Sequence, residues 1–185
     1  MTPQTLMFIG RSGSGKGTQA KLLLNYLKEK GAEKVYYLES GARFREFIAG
    51  DGYTNRLSRE INDQGGLQPE FLAVWVWSGL LIQEFNDPSQ HLVFDGTPRR
   101  EVEAKVFDSA LEFYKRERPV LIHLNVSREW SRARLKERRR LDDTVEEIER
   151  RLEWYDSEVA AVLKFFKENP RYHIVDVNGE QSIEE

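Results

Sequence analysis

The stretch Gly10-Arg11-Ser12-Gly13-Ser14-Gly15-Lys16-Gly17-Thr18-Gln19 constrains this chain more than any other. It follows directly on an apolar run, residues 6–9, and a helical pattern opens at its lysine. Glycines at 10, 13 and 15 let the backbone enter φ > 0 and clear away side chains that would block a ligand. Successive N–H groups can then turn inward around an anion, with the positive end of the helix dipole behind them. Lys16 adds a mobile full charge at the rim. Strand, G-x-x-x-x-G-K loop and helix, in that order, make a phosphate-binding loop. Gly17 follows the lysine, so the hydroxyl comes one place later than in the common form, at Thr18. Gly15-Lys16-Gly17-Thr18-Gln19-Ala20 also fits the looser dinucleotide pattern G-x-G-x-x-A, with Glu39 as a ribose acceptor. That pattern leaves Gly10 and the lysine without a role, and the phosphate loop accounts for both.

At 185 residues the chain suits one domain with a sizeable core. A net charge of −3 supplies no global basic excess that would point to nucleic acid. The absence of cysteine excludes a disulfide framework, a cysteine nucleophile and a thiolate zinc site. Residues 1–9 lack the basic flank of a signal peptide, and no apolar run approaches the length of a membrane span. A cytoplasmic, monomeric protein is expected.

Apolar runs suited to buried parallel strands recur at residues 6–9, 35–38, 91–94, 120–124 and 172–177. Helical periodicity lies between them. Ala20, Leu23, Leu24 and Leu27 form one face, and Val102, Val106, Ala110 and Phe113 another, with Phe107 and Tyr114 alongside. A long helix reads Val145, Ile148, Leu152, Tyr155, Val159, Val162, Leu163 and Phe166, opened by the capping box Thr144-Val145-Glu146-Glu147. The alternation predicts a three-layer α/β/α domain around a five-stranded parallel sheet. The connection from residue 41 to 90 is far longer than one crossover needs. It predicts helices at 43–49, 54–63 and 69–85, a small helical subdomain hung over the strand ends, with Trp75 and Trp77 packed in its core.

The run Leu92-Val93-Phe94-Asp95 is a hydrophobic strand ending in a carboxylate, which beside a phosphate loop marks a Mg2+ anchor. Gly96-Thr97-Pro98-Arg99 is a rigid turn that presents Arg99 to the same crevice. Basic residues crowd one segment: Arg128, Arg132, Arg134, Lys136, Arg138, Arg139 and Arg140, followed by Arg150 and Arg151. They read as a solvated face, as an RNA-binding helix, or as guanidiniums converging on a transferring phosphoryl group. Arg134 and Arg138 share a helix face before a loop at 139–143, and Arg151 points back from the next helix. The three histidines do not cluster and receive no catalytic role.

Over nearly its whole length the chain resembles the adenylate kinases, nucleoside monophosphate kinases of the P-loop NTPase class. The likeness rests on the phosphate loop with its extra glycine, on Ser40-Gly41-Ala42-Arg43-Phe44-Arg45, and on Gly66-Leu67-Gln68-Pro69-Glu70. Asp95-Gly96-Thr97-Pro98-Arg99 continues it, as does the lid segment with Arg134, Arg138, Arg140-Leu141-Asp142-Asp143 and Arg151-Leu152. It implies reversible phosphoryl transfer from Mg-ATP to a nucleoside monophosphate, AMP favoured, giving two ADP. ATP would contact Gly13, Ser14, Gly15, Lys16, Gly17, Thr18, Arg134, Arg138 and Gly179. The acceptor would contact Ser40, Gly41, Arg45, Leu67, Gln68, Gly96, Arg99, Glu103, Arg140 and Arg151. Thr18 and Asp95 would hold Mg2+ through water, and Lys16, Arg99, Arg138, Arg140 and Arg151 would act on the transferring group. The domain would divide into a core (1–39, 86–137, 144–185), an acceptor-binding subdomain (about 40–85) and a short lid (about 138–143).

Three departures accompany the resemblance. Ala42 stands where the family carries an acid that orders the metal's water, so weaker metal ordering is expected unless another group compensates. The lid is a short loop and holds no zinc. At the acceptor-base position Glu103 replaces glutamine; an ionised carboxylate only accepts hydrogen bonds. It would face the two donors of a guanine edge, read adenine only if protonated, or point to solvent while backbone contacts select the base. GMP, or UMP and CMP, therefore stay open as acceptors, as does a nucleotide-dependent RNA-associated protein.

Overall fold

The computed structural model describes residues 2–32, 34–138 and 144–183. Its strands are β1 (Thr5–Gly10), β2 (Val35–Glu39), β3 (His91–Asp95), β4 (Val120–Asn125) and β5 (His173–Asn178), all paired in parallel in the order β2-β3-β1-β4-β5. Helices are α1 (Lys16–Glu29), α2 (Ser40–Ile48), α3 (Tyr53–Asp63), α4 (Glu70–Glu84), α5 (Glu101–Phe113), α6 (Arg128–Arg138), α7 (Val145–Trp154) and α8 (Ala160–Glu168). The chain winds outward from β1 to β2, returns through β3, then crosses β1 to reach β4. The crevice above the carboxyl ends of β1 and β3 therefore lies at the reversal, where open sheets bind ligands.

The sheet is covered on both faces, which is why its central strands β1 and β3 read as apolar runs. On one face Met7, Ile9, Tyr36, Leu38, Leu92, Phe94 and Leu121 meet Trp77 and Leu81 of α4, Ala104, Phe107 and Leu111 of α5, and Val162 and Phe166 of α8. Phe107 is fully buried, edge-on to Phe94 with centroids 4.7 Å apart and tilted against Trp77 at 5.2 Å. On the other face Phe8, Val93 and Leu124 meet Ala20 and Leu27 of α1.

Helix placement follows local chemistry closely. Thr144 caps α7 and Glu147 returns the favour to the Thr144 N–H, the reciprocal box expected from the sequence. The buried stripe of α5, however, is Glu103, Ala104, Phe107 and Leu111. Val102, Val106 and Phe113, expected inside, are exposed. Two apolar stripes run side by side on this helix, and the sheet accepted the one carrying Phe107 and Leu111. Trp75, also expected in the core, is 58% exposed and meets Phe47 edge-on at 5.5 Å, whereas Trp77 is buried. The long helix after residue 144 is interrupted by a π turn, Tyr155–Val159. Among the described residues no helix is long and apolar enough to cross a membrane.

Candidate active site

The phosphate loop joins β1 to α1 above the sheet. Gly13 and Gly15 have φ of 82° and 93°, the left-handed region that favours glycine. Gly10, expected to need the same freedom, does not have positive φ; it is required for space, since a Cβ there would meet the Leu124 carbonyl at 2.5 Å. The backbone N–H groups of Gly13, Gly15, Lys16 and Gly17 find no backbone acceptor among the described residues. These residues line the cavity at a helix N-terminus, the arrangement of a nest for phosphate oxygens. Lys16 Nζ donates to the Gly10 and Arg11 carbonyls, both at 2.8 Å, and closes the loop on itself. Burial pulls the Lys16 ammonium down to about 8, with Arg99 and Arg138 repelling it in the same sense and Asp95 opposing.

A second basic centre faces the first. The Arg99 guanidinium donates through Nε to the Gly96 carbonyl at 2.7 Å and lies 5.6 Å over the Trp154 ring. Burial holds its pKa down; Glu103 and Asp95 oppose this, and Arg151 and Arg45 add repulsion. A Cβ on Gly41 would meet Arg45 Nη1 at 3.2 Å and Arg99 Nη2 at 3.9 Å, so the missing side chain leaves a cradle between two guanidiniums. Ser40 Oγ donates to the Gly96 carbonyl at 2.7 Å and ties α2 to the turn after β3. Several like charges held this close call for an anion.

Asp95 lies between the two centres. Burial raises its pKa, Lys16 and Arg99 draw it down, and Glu39 pushes it up. A Cβ on Gly17 would be 3.4 Å from Asp95 Oδ2, which puts this carboxylate directly beside the start of α1. Asp95 and the Thr18 hydroxyl are hard oxygen donors lining one cavity, a donor set that fits Mg2+ held through its own water. Among the described residues no group of three or more His, Cys, Asp or Glu is arranged to hold a metal directly.

A single cavity of about 930 Å3 gathers the sequence-derived candidates. Gly13, Ser14, Gly15, Lys16, Gly17, Thr18, Arg134, Arg138 and Gly179 line it with Ser40, Gly41, Arg45, Leu67, Gln68, Asp95, Gly96, Arg99, Glu103 and Arg151. Arg140, with the lid residues 139–143, lies outside the described residues. Glu103 does not point to solvent: it is 4% exposed, accepting from Thr97 Oγ1 at 2.5 Å and from the Arg99 N–H at 2.7 Å. Its carboxylate thereby holds the turn that carries Arg99. The Gln68 side chain is engaged with Ser58, donating to its carbonyl at 2.9 Å and accepting from its hydroxyl at 2.7 Å.

Other residues of the site escaped the sequence reading. Trp154, one turn after Arg151 on α7, backs Arg99 and donates to the Gly65 carbonyl at 3.1 Å. Arg11 of the phosphate loop stacks on Tyr155 at 4.3 Å and pairs with Asp156 at 2.6 Å, both on the π turn. The i,i+3 spacing of Arg151 and Trp154 was the available signal; nothing local announces the π turn. Arg128 and Arg132 do not face the cavity's phosphate centres but pair with Glu149, and Arg128 with Asp156, bracing α6 on α7.

A family model described as "Adenylate kinase" matches residues 8–171. The adenylate kinase of Flavobacterium psychrophilum is 31% identical over 97% of this chain and 92% of its own length. Adenylate kinase 1 of Nostoc sp. is 29% identical over the same shares, and the adenylate kinase of Stenotrophomonas maltophilia K279a is 29% identical over 95% and 91%. The chain belongs to the adenylate kinase family.

Proposed function

We propose that this adenylate kinase family member catalyses reversible phosphoryl transfer from Mg-ATP to AMP, giving two ADP. One observation carries the assignment to this chain's own residues: two cationic centres, at Lys16 and at Arg99, face one cavity with the Asp95 carboxylate beside both. A generic nucleotide hydrolase needs only the first. The attacking oxygen belongs to a phosphate already ionised at neutral pH, so no general base is required. Positioning and charge neutralisation then supply the catalysis.

The unsatisfied N–H groups of the loop and Lys16 receive the donor's β- and γ-phosphates, and Arg134 and Gly179 flank its base. Arg45 and Arg99, braced by Ser40 and Gly96 across the Gly41 cradle, aim the acceptor phosphate. With the Gln68 side chain tied to Ser58, the backbone of Leu67 and Gln68 is left to meet the acceptor base. Both Glu103 oxygens are already turned to the chain, which removes the argument for a guanine edge and leaves AMP the better acceptor. Arg138, Arg140 and Arg151 close over the transferring group from the lid side (about 138–143) and α7, with residues 40–85 moving as the acceptor-binding unit. Asp95 and Thr18 would hold Mg2+ through its water, and the ion would neutralise charge on the phosphates. We read the enzyme as a monomer acting in the cytoplasm.

The test is ADP formation from Mg-ATP with AMP, GMP, CMP, UMP and dTMP in turn, in the wild type and in Arg138→Ala. AMP should be preferred, and Arg138→Ala should lower kcat by orders of magnitude with little change in ATP affinity. No ADP with any acceptor would refute the reading; unchanged turnover in the variant would remove Arg138 from it.

A further inference from the structure

Asp95 and Thr18 bring one carboxylate and one hydroxyl to the candidate metal position, and Ala42, just past Gly41, adds no oxygen. A second carboxylate stands next to them. Glu39 is the last residue of β2 and is in direct register with Asp95, the last residue of β3. Registered neighbours in a sheet put their side chains on the same face. That face is fixed by Tyr37 and Val93, two residues earlier on each strand, which pack with Phe8 and Ala20 under α1. Glu39 and Asp95 therefore emerge side by side at the end of the sheet beneath the start of α1, and both line the cavity. They sense one another, since Glu39 is among the charges that raise Asp95. The buried Tyr37 hydroxyl interacts with Asp95, lowering its pKa, and feels Glu39 as well, so it ties into the same pair of carboxylates. Two registered carboxylates beside the Thr18 hydroxyl in one cavity are the complement of a hydrated divalent cation, whose waters donate to carboxylate oxygens.

Glu39 is not idle without a ligand. Its Oε1 pairs with Arg45 Nη2 at 3.1 Å, and its side chain is 30% exposed. Arg45 is also one of the two guanidiniums of the Gly41 cradle. An acceptor phosphate there competes with Glu39 for the same cation, and phosphate carries the larger charge.

We propose that Glu39 is an outer-sphere carboxylate of the Mg2+ site, paired with Arg45 until the acceptor's phosphate takes that arginine and frees Glu39 for the metal's water. The inference rests on the two-nucleotide reading above. It couples the two halves of the site: the acceptor strengthens metal binding, and by linkage the metal strengthens acceptor binding by the same factor.

The experiment uses Mn2+ as a paramagnetic probe, bound to the full chain with a non-hydrolysable β,γ-imido ATP analogue and followed by EPR, with and without AMP. In the wild type, AMP should tighten Mn2+ several-fold. Glu39→Gln should weaken Mn2+ in the presence of AMP by roughly tenfold, the usual size of an outer-sphere loss, and abolish the gain on adding AMP. Glu39→Asp should restore part of that gain. Mn2+ affinity unchanged within twofold in Glu39→Gln, or an effect confined to AMP binding, would overturn the proposal and reduce Glu39 to a brace for Arg45. Failure of the wild type to bind AMP or form ADP would instead overturn the functional reading itself.

Discussion

Lys16 should make ATP binding depend on pH with a sign opposite to that of stability. Burial holds its ammonium at about 8 in the ligand-free protein, against an ordinary value of 10.5. The tetra-anionic ligand raises that value on binding, so the complex takes up a proton wherever the free amine is neutral. Between pH 7 and 9 the charged fraction of free Lys16 falls from about nine-tenths to about one-tenth. ATP affinity should then fall roughly tenfold, about 1.4 kcal/mol. Stability of the unliganded fold runs the other way. With the folded value depressed, the unfolded chain binds more protons between 8 and 10.5, and stability rises with pH through that window. Isothermal calorimetry with the β,γ-imido analogue, in buffers of different ionisation enthalpy, reads affinity and proton uptake together. Lys16→Arg, whose guanidinium stays charged throughout, should bind more weakly but with a flat profile. A flat wild-type profile from pH 7 to 9, or no proton uptake at pH 8.5, would refute the assignment of Lys16 to the donor phosphates.

Two further perturbations probe the frame and the acceptor site. Arg116 is 6% exposed and donates to Thr5 Oγ1 at 2.9 Å and to the carbonyls of Pro88, Gln4 and Gln90 at 2.9–3.1 Å. Arg116→Leu strips these acceptors at once and should cost about 3 kcal/mol in urea unfolding with an unchanged m-value; a cost under about 1 kcal/mol would show that water replaces it. Trp154→Ala removes the ring behind Arg99 and should raise KM for AMP about tenfold, the size of a partly desolvated cation–π contact, while KM for ATP holds. Trp154→Phe should recover part of the loss, and an equal rise in both KM values would deny the ring a role specific to Arg99.

Much of this protein is written locally. The glycine positions, the lysine and the helix start of the phosphate loop are adjacent in sequence, as are the Thr144–Glu147 box and the turn that carries Arg99. Strands of a covered parallel sheet carry apolar runs, so all five could be located to within a residue or so of their observed ends, the edge strand β5 included although none of its residues is buried. What depends on the partner surface could not be located in that way. Only the sheet chooses between the stripes of α5 that begin at Val102 and at Glu103, because periodicity scores both. Trp75 and Trp77 differ by a rotation about α4 that no propensity encodes. The π turn exists where Tyr155 and Asp156 meet Arg11, more than a hundred residues away in the chain.

The same division runs through the site. Residue type and spacing marked the loop as the place to expect a phosphate, put Asp95 at the end of a strand beside it, and grouped the arginines of residues 128–151. Tertiary structure alone decided which of these charges converge. Arg45, Arg99 and Arg151 lie on α2, on the turn after β3 and on α7, and they meet only because those elements end over one edge of the sheet. Glu103 turned inward to hold a loop because its neighbours Thr97 and Arg99 offered donors. Glu39 and Asp95 became neighbours through strand register, a pairing between segments more than fifty residues apart. The reason is physical: local sequence sets what one backbone segment can do, whereas opposing or adjoining charges acquire meaning only when folding removes the water between them.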